Sequence, residues 1–371
     1  MNAVLKSAPE ELAPPTLGYP VQENFEATSY QAFIRSIRNF WRSAPYADAV
    51  REASALDGEP RDLETQMCGR PGYALYAWLE RRSQQFKYQG RWGLLPTLRA
   101  RQRELEEALA TAARISPDLL ILNTGFQPPD YVTAVDTHQH AGGLWRGATD
   151  GFAYEAASQG ASFSMLSHDV PVKRIVEAAA VLLGAGKISR LVEVGCTAGP
   201  VARALKHSFP QAEVIGCDVS APVLRLAHLR SVQQGVKVKW VQACAERLPL
   251  ETGSVDLLCS NYLVHEMPPA ALRESFVEAR RVLRVGGALV IQDMYLIPGG
   301  AVGTWLQAGY AARNNEPFAY PLLQLDLTKE LELAGFDEVS VRYSYPEPEA
   351  DGSLPAFRTH YVTLITAKAR D

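Results

Sequence analysis

Glu193, Gly195, Gly199 and Asp218 are the residues of this chain whose types and spacing point most directly to chemistry. Three of them lie in Leu191-Val-Glu-Val-Gly-Cys-Thr-Ala-Gly199, an apolar run that ends in a glycine-bracketed turn. The fourth closes a second apolar run, Val214-Ile-Gly-Cys-Asp218, and residues 201–209 between them can form one helix. Strand, glycine turn, helix, strand, acid is the order of a βαβ unit that holds a nucleoside-containing cofactor. Glycines let the backbone approach the ligand closely. An aspartate at the end of the second strand can accept hydrogen bonds from two ribose hydroxyls.

Two cofactor classes compete for this unit. A dinucleotide site requires G-x-G-x-x-G, whose third glycine packs the helix on the strand. Here the run is Gly195-Cys-Thr-Ala-Gly199-Pro-Val-Ala, so Thr197 stands at the middle glycine and no third one follows. Glu193, just before the turn, would repel a pyrophosphate. S-adenosylmethionine (SAM) has no phosphate and carries a sulfonium and an ammonium, so the acid favours SAM. A nicotinamide-dependent oxidoreductase is the weaker alternative.

Further runs follow in order. Val238-Lys-Trp-Val-Gln242 predicts a third strand, and Leu257-Leu-Cys-Ser-Asn261 a fourth that leads into Tyr262-Leu-Val-His-Glu-Met-Pro268. Residues 269–285 have the apolar spacing of an amphipathic helix, and Ala288-Leu-Val-Ile-Gln-Asp293 predicts the next buried strand. This series resembles the class I SAM-dependent methyltransferase family, especially its small-molecule branch, across residues 170–370. The resemblance implies that Glu193, Gly195 and Gly199 hold the methionine end of SAM and that Asp218 holds the ribose. It also implies that Ala245 and Glu246 read the adenine edge, and that Asn261 approaches both the methionine and the acceptor. Two positions depart from the family pattern: Thr197, commonly glycine, and Cys244, where an aspartate facing the adenine is common. They keep open a second function, a non-catalytic SAM-fold scaffold or SAM-sensing protein.

Methyl transfer is an in-line displacement at carbon, so the protein mainly aligns the reactants and excludes water. A hydroxyl acceptor also needs a base, and histidine is the natural one near neutral pH. His265 lies just past the fourth strand, with Glu266 beside it to orient the ring. His138 and His140 form a His-x-His pair that in a strand would face one side. Of these two, His140 is the expected acceptor-binding or catalytic residue. The pair lacks an identifiable third ligand, so no metal is expected. A small-molecule acceptor is expected, with oxygen first, then nitrogen or sulfur, then carbon.

These residues require an α/β fold: a seven-stranded, mostly parallel Rossmann-like sheet with a mainly helical N-terminal cap. The expected division is a disordered tail over 1–22, a helical cap or dimerisation domain over 23–165, and the methyltransferase domain over 166–371. Phe33, Ile34, Ile37, Phe40 and Trp41 recur at helical spacing, and so do Tyr73, Leu75, Tyr76, Trp78 and Leu79. Residues 123–168 and 294–321 are rich in Gly, Pro and aromatics, and are expected as irregular binding loops. The net charge of −4 argues against a phosphate-tracking surface, so nucleic acid is not an expected partner. No apolar run reaches the length of a membrane span. The five cysteines form no C-x-x-C pair and suit a reducing, cytoplasmic setting. A homodimer through the cap is a further expectation.

Overall fold

The computed structural model describes residues 25–161, 169–184, 186, 188–294, 300–344 and 362–371. The expected tail over 1–22 and the expected domain boundary near 165 lie outside them. Eight strands form one sheet: β1 (Leu120–Ile121), β2 (Arg190–Val194), β3 (Glu213–Asp218), β4 (Lys239–Gln242), β5 (Val255–Asn261), β6 (Leu283–Asp293), β7 (Phe336–Ser344) and β8 (Val362–Ala369). Their spatial order is β1-β4-β3-β2-β5-β6-β8-β7. The pairs from β1 to β6 are parallel, and β8 runs antiparallel to both β6 and β7. Seven strands match the expected sheet. The eighth, β1, is a two-residue edge strand that the sequence pattern does not announce.

Burial on both faces explains why β2, β3 and β5 read as nearly unbroken apolar runs. Strand order reverses at β2, which pairs with β3 on one side and β5 on the other. Ligands of open α/β sheets bind outside the carboxyl ends of the strands at such a reversal. Gly195 and Asn261 therefore flank the expected crevice.

Among the described residues, six α-helices precede β1: α1 (Phe25–Arg42), α2 (Ala44–Ser54), α3 (Pro60–Met67), α4 (Pro71–Tyr88), α5 (Leu94–Arg99) and α6 (Gln102–Ile115). A short turn of helix, α7 (Asp130–Thr133), follows β1. Then come α8 (Asp150–Ala161), α9 (Asp169–Leu183), α10 (Pro200–Ser208) and α11 (Ala221–Gln234). The remaining helices are α12 (Pro269–Val282), α13 (Gly300–Asn314), α14 (Ala319–Leu322) and α15 (Leu327–Leu333). Among the described residues, no helix is long and apolar enough to cross a membrane.

Of the two segments expected as irregular loops, 294–321 is mostly helical where described, whereas 123–149 is largely irregular as expected and leads into helix α8. Trp305 and Leu306 of α13 are buried against Trp41, Tyr46, Leu63, Met67 and Tyr76 of the N-terminal helices. Tertiary packing thus overrides the weak helix preference of a segment with three glycines between Gly300 and Gly309. In the other segment, Phe152, Ala153 and Ala157 of α8 pack with Leu226 and Leu229 of α11 and with Ala198 of the glycine turn. A Cβ on Gly151 would lie 2.7 Å from the Pro222 carbonyl oxygen, so only glycine lets α8 approach α11 this closely.

Candidate active site

The turn after β2 is held in a left-handed path at three residues: Gly195 (φ +65°), Thr197 (φ +47°) and Gly199 (φ +73°). Left-handed backbone costs a β-branched residue about 1–2 kcal/mol, and local hydrogen bonds offset this at Thr197. Its N–H donates to Asp218 Oδ2 at 2.9 Å, and its hydroxyl is bonded to the Tyr154 phenol. Asp218 also accepts the Ser220 N–H at 2.9 Å, so one buried carboxylate at the end of β3 shapes both loops. Ser220, rather than Asp218, is the N-cap of α11. Gly199 has a second constraint, because a Cβ there would lie 2.0 Å from the indole of Trp240 on β4. Gly199→Ala should therefore destabilise the fold by about 2–4 kcal/mol, through overpacking and left-handed strain together. Urea unfolding checks this, and adding Trp240→Leu should recover part of the loss. A change within about 0.5 kcal/mol would contradict the close approach.

Glu193 is buried at the centre of the sheet, where Oε2 accepts the Ala202 N–H at 2.8 Å. Burial pushes its carboxyl up to about 8, against the pull of that N–H and of Arg203. The folded chain thus holds more proton than the unfolded chain between pH 4.5 and about 8. Glu193 accordingly contributes stability that declines as pH rises through this window and levels off above it. Melting temperature measured against pH should show that decline in the wild type, and a shallower one in Glu193→Gln. Identical slopes would show that Glu193 is not the buried acid responsible. A bound cation beside this carboxyl would favour its ionised form.

On the other side of the crevice, Ala245 joins Val194, Leu263 and Met267 in the wall of a small, mostly apolar cavity. Glu246 accepts the Tyr131 hydroxyl of α7 at 2.6 Å through Oε1, while its buried Oε2 has no hydrogen-bond partner. An unmet buried acceptor is costly and suits a ligand donor such as an exocyclic amine. Cys244 bridges to Arg247 through the backbone, and burial first of all holds its thiol up at about 11. Asn261 ends β5, and its Oδ1 accepts the Gln292 amide at 2.9 Å.

Beyond Asn261 the chain makes a short 3-10 turn, Val264–Glu266. The side chain of Leu263 covers Gly195 there. His265 is buried, and its Nδ1 lies 2.6 Å from Asp293 Oδ1 at the end of β6. Its Nε2 lies 3.4 Å from Glu266 Oε1. The same Glu266 oxygen lies 3.1 Å from His138 Nε2, and His138 Nδ1 lies 2.8 Å from the buried Glu316. Burial would lower both imidazoles, but the carboxylates outweigh it. Asp293 and Glu266 hold His265 well above its ordinary value, and Glu266 and Glu316 hold His138 up at about 9. Burial opposes ionisation of Glu266, yet the two rings hold it well below the carboxylate range. At neutral pH this is an imidazolium–carboxylate–imidazolium chain.

His140, expected at the site, does not join this chain. Positive φ at His138 (+56°) and Gln139 (+60°) breaks the extended geometry that would align the two histidines. His140 instead stacks on Tyr88 with ring centroids 4.6 Å apart, and neither ring nitrogen has a hydrogen-bond partner. Burial first, then Lys87 and His138, push it down to about 3, so it is neutral. Sequence reasoning also missed Tyr154. Its phenol meets Thr197 and lies within electrostatic reach of Asp218, Glu266 and Glu193, which links the glycine turn to the histidine chain. One tyrosine in helix α8, within a stretch that the sequence marks as irregular, carries no periodic signal that could have marked it.

The methyltransferase-domain family model matches residues 191–287, which run from β2 through β5 into β6. Among curated proteins, the chain is 31% identical over 127 residues to a malonyl-[acyl-carrier protein] O-methyltransferase of Legionella pneumophila, covering 34% of this chain and 42% of that protein. It is 31% identical over 114 residues to a demethylmenaquinone methyltransferase of Thermus thermophilus, covering 31% and 51%. A trans-aconitate 2-methyltransferase of Azoarcus is 36% identical over 102 residues, covering 28% and 38%. The chain thus spans about half or less of the length of these relatives. A solved phosphoethanolamine N-methyltransferase 2 of Haemonchus contortus shares 18% identity with a TM-score of 0.43, covering 53% of this chain and 52% of that one. The matched segment holds the glycine turn, Asp218, Glu246 and Asn261 on a sheet of the expected order, so this chain carries a class I SAM-dependent methyltransferase domain.

Proposed function

We propose that the protein transfers the methyl group of SAM to an oxygen atom of a small anionic acceptor, foremost a carboxylate. The carrying observation is the His138–Glu266–His265 chain at the carboxyl end of β5, beside the glycine turn. An imidazolium takes no proton, so His265 is not the base that its position suggests. A carboxylate oxygen needs none. It needs positive charge to hold it in line with the sulfonium carbon and a site that excludes water. The rings do not supply that charge in excess, because Glu266, Glu316 and Asp293 offset it. Lys87, buried within reach of His140 and Glu316, would supply it. Burial, Arg38 and Arg42 hold Lys87 well below its ordinary value, and an anion would restore its charge.

In this reading Glu193, Gly195 and Gly199 hold the methionine end of the donor, Asp218 the ribose, and Ala245 with Glu246 the adenine. Asn261 lies between donor and acceptor, Glu266 keeps the two rings oriented, and His140 supports the pocket wall through Tyr88. Nitrogen, sulfur and carbon acceptors rank below oxygen, and nucleic acid is not proposed as a substrate. The five free cysteines support a reducing compartment, the cytoplasm. Exposed Phe33, Phe40 and Trp78 on α1 and α4 support a homodimer, which a solution mass from light scattering tests.

The functional test is incubation with methyl-labelled SAM and a panel of carboxylic acids, followed by mild alkali. Label released as methanol marks a methyl ester and supports the proposal. Label in alkali-stable products moves the acceptor to a hydroxyl oxygen, nitrogen, sulfur or carbon. Donor binding without turnover on any acid favours the non-catalytic alternative.

A further inference from the structure

The same histidine chain has the geometry of a metal site. We infer that His138 Nε2, His265 Nε2 and the Glu266 carboxylate bind one divalent transition-metal ion, zinc-like in its preferences. The three ligand atoms lie within 4.8 Å of one another. Glu266 Oε1 is 3.1 Å from one nitrogen and 3.4 Å from the other. An ion at about 2.0–2.1 Å from tetrahedral ligands separates those ligands by about 3.3 Å, so little rearrangement is needed.

The surroundings support the assignment independently. Each imidazole is backed at Nδ1 by its own buried carboxylate, Glu316 for His138 and Asp293 for His265. That arrangement fixes the tautomer with Nδ1–H turned to the carboxylate, and leaves Nε2 for a metal. A salt-bridge chain does not need a second carboxylate behind both rings. The side chains of His138 and Glu266 are 29% and 23% exposed, so an ion can enter from one side. Two imidazoles and one carboxylate suit borderline divalent ions, and three protein ligands leave a position open. On binding, the ion takes the place of the Nε2 protons, which pass to solvent.

With the acceptor of the proposed function beside the ion, an anionic oxygen would take the open position. That last step rests on the proposed function, but the metal site itself does not. Its test is therefore run without methyl donor.

Full-length protein stripped with chelator is titrated with Co2+ and followed by visible absorption, and with Zn2+ followed by calorimetry. The expected result is one equivalent bound, with a cobalt spectrum of low coordination number. His138→Ala and Glu266→Gln should weaken binding by at least about 100-fold, and Glu316→Gln by about 10- to 100-fold. The exposed-histidine control His207→Ala should leave it unchanged. No stoichiometric cobalt spectrum in the wild-type protein overturns the inference, and so does undiminished affinity in Glu266→Gln. The wild-type titration decides even if a variant fails to fold. If SAM binds and cobalt does not, only the metal site falls. If cobalt binds and SAM does not, only the methyl-transfer proposal falls.

Discussion

Asp218→Ala should lower SAM affinity by at least about 100-fold while leaving the sheet folded. The carboxylate is proposed to accept hydrogen bonds from two ribose hydroxyls, each worth about 1.5–3 kcal/mol when the acceptor is charged. Tenfold in affinity corresponds to about 1.4 kcal/mol, so losing both bonds exceeds two decades. A second loss adds to the first, because Asp218 also receives the N–H of Thr197 and so pins a left-handed residue of the turn. Binding calorimetry measures the affinity, and circular dichroism checks the fold. Unchanged affinity in a folded variant would remove Asp218 from the cofactor site.

Arg230→Met should cost about 3–5 kcal/mol of stability. Arg230 of α11 is 1% exposed and grips Glu155 of α8 with two nitrogens, at 3.0 and 2.6 Å. Removing one partner of a buried pair strands the other charge away from water, which is worse than never having buried the pair. Glu155→Met added to Arg230→Met should therefore restore most of the loss. Urea unfolding of the two single variants and the double variant measures this. A single-variant loss below about 1 kcal/mol would contradict the burial. The pair also bears on function, because Glu155 adjoins Tyr154, the phenol that meets Thr197. Loosening α8 should weaken donor binding as well as stability.

The candidate site residues legible in the sequence are those set by a local pattern. Glu193, Gly195, Gly199 and Asp218 lie on one βαβ unit, where apolar run, turn and acid recur at short range. The strands β2 to β6 were readable for the same reason, since a doubly covered parallel strand is a bounded apolar run. The histidine chain was not readable, because His138 and Glu316 are 178 residues apart and nothing in either neighbourhood names the other. The His-x-His pair even misled: its spacing suggests a shared face, and positive φ between the rings separates them. The Trp240 indole under Gly199 belongs to the same class of hidden fact, in which one strand's bulk dictates another turn's glycine. Helix α13 escaped because its helicity comes from burying Trp305 and Leu306, not from periodicity or propensity.

The central claim is that the crevice at β2 and β5 holds SAM. Calorimetric titration of the purified protein with SAM, S-adenosylhomocysteine and NAD tests it most directly. Stoichiometric binding of the first two, with no heat from NAD, is the predicted result. Binding of NAD, or silence with both adenosyl ligands, would contradict it.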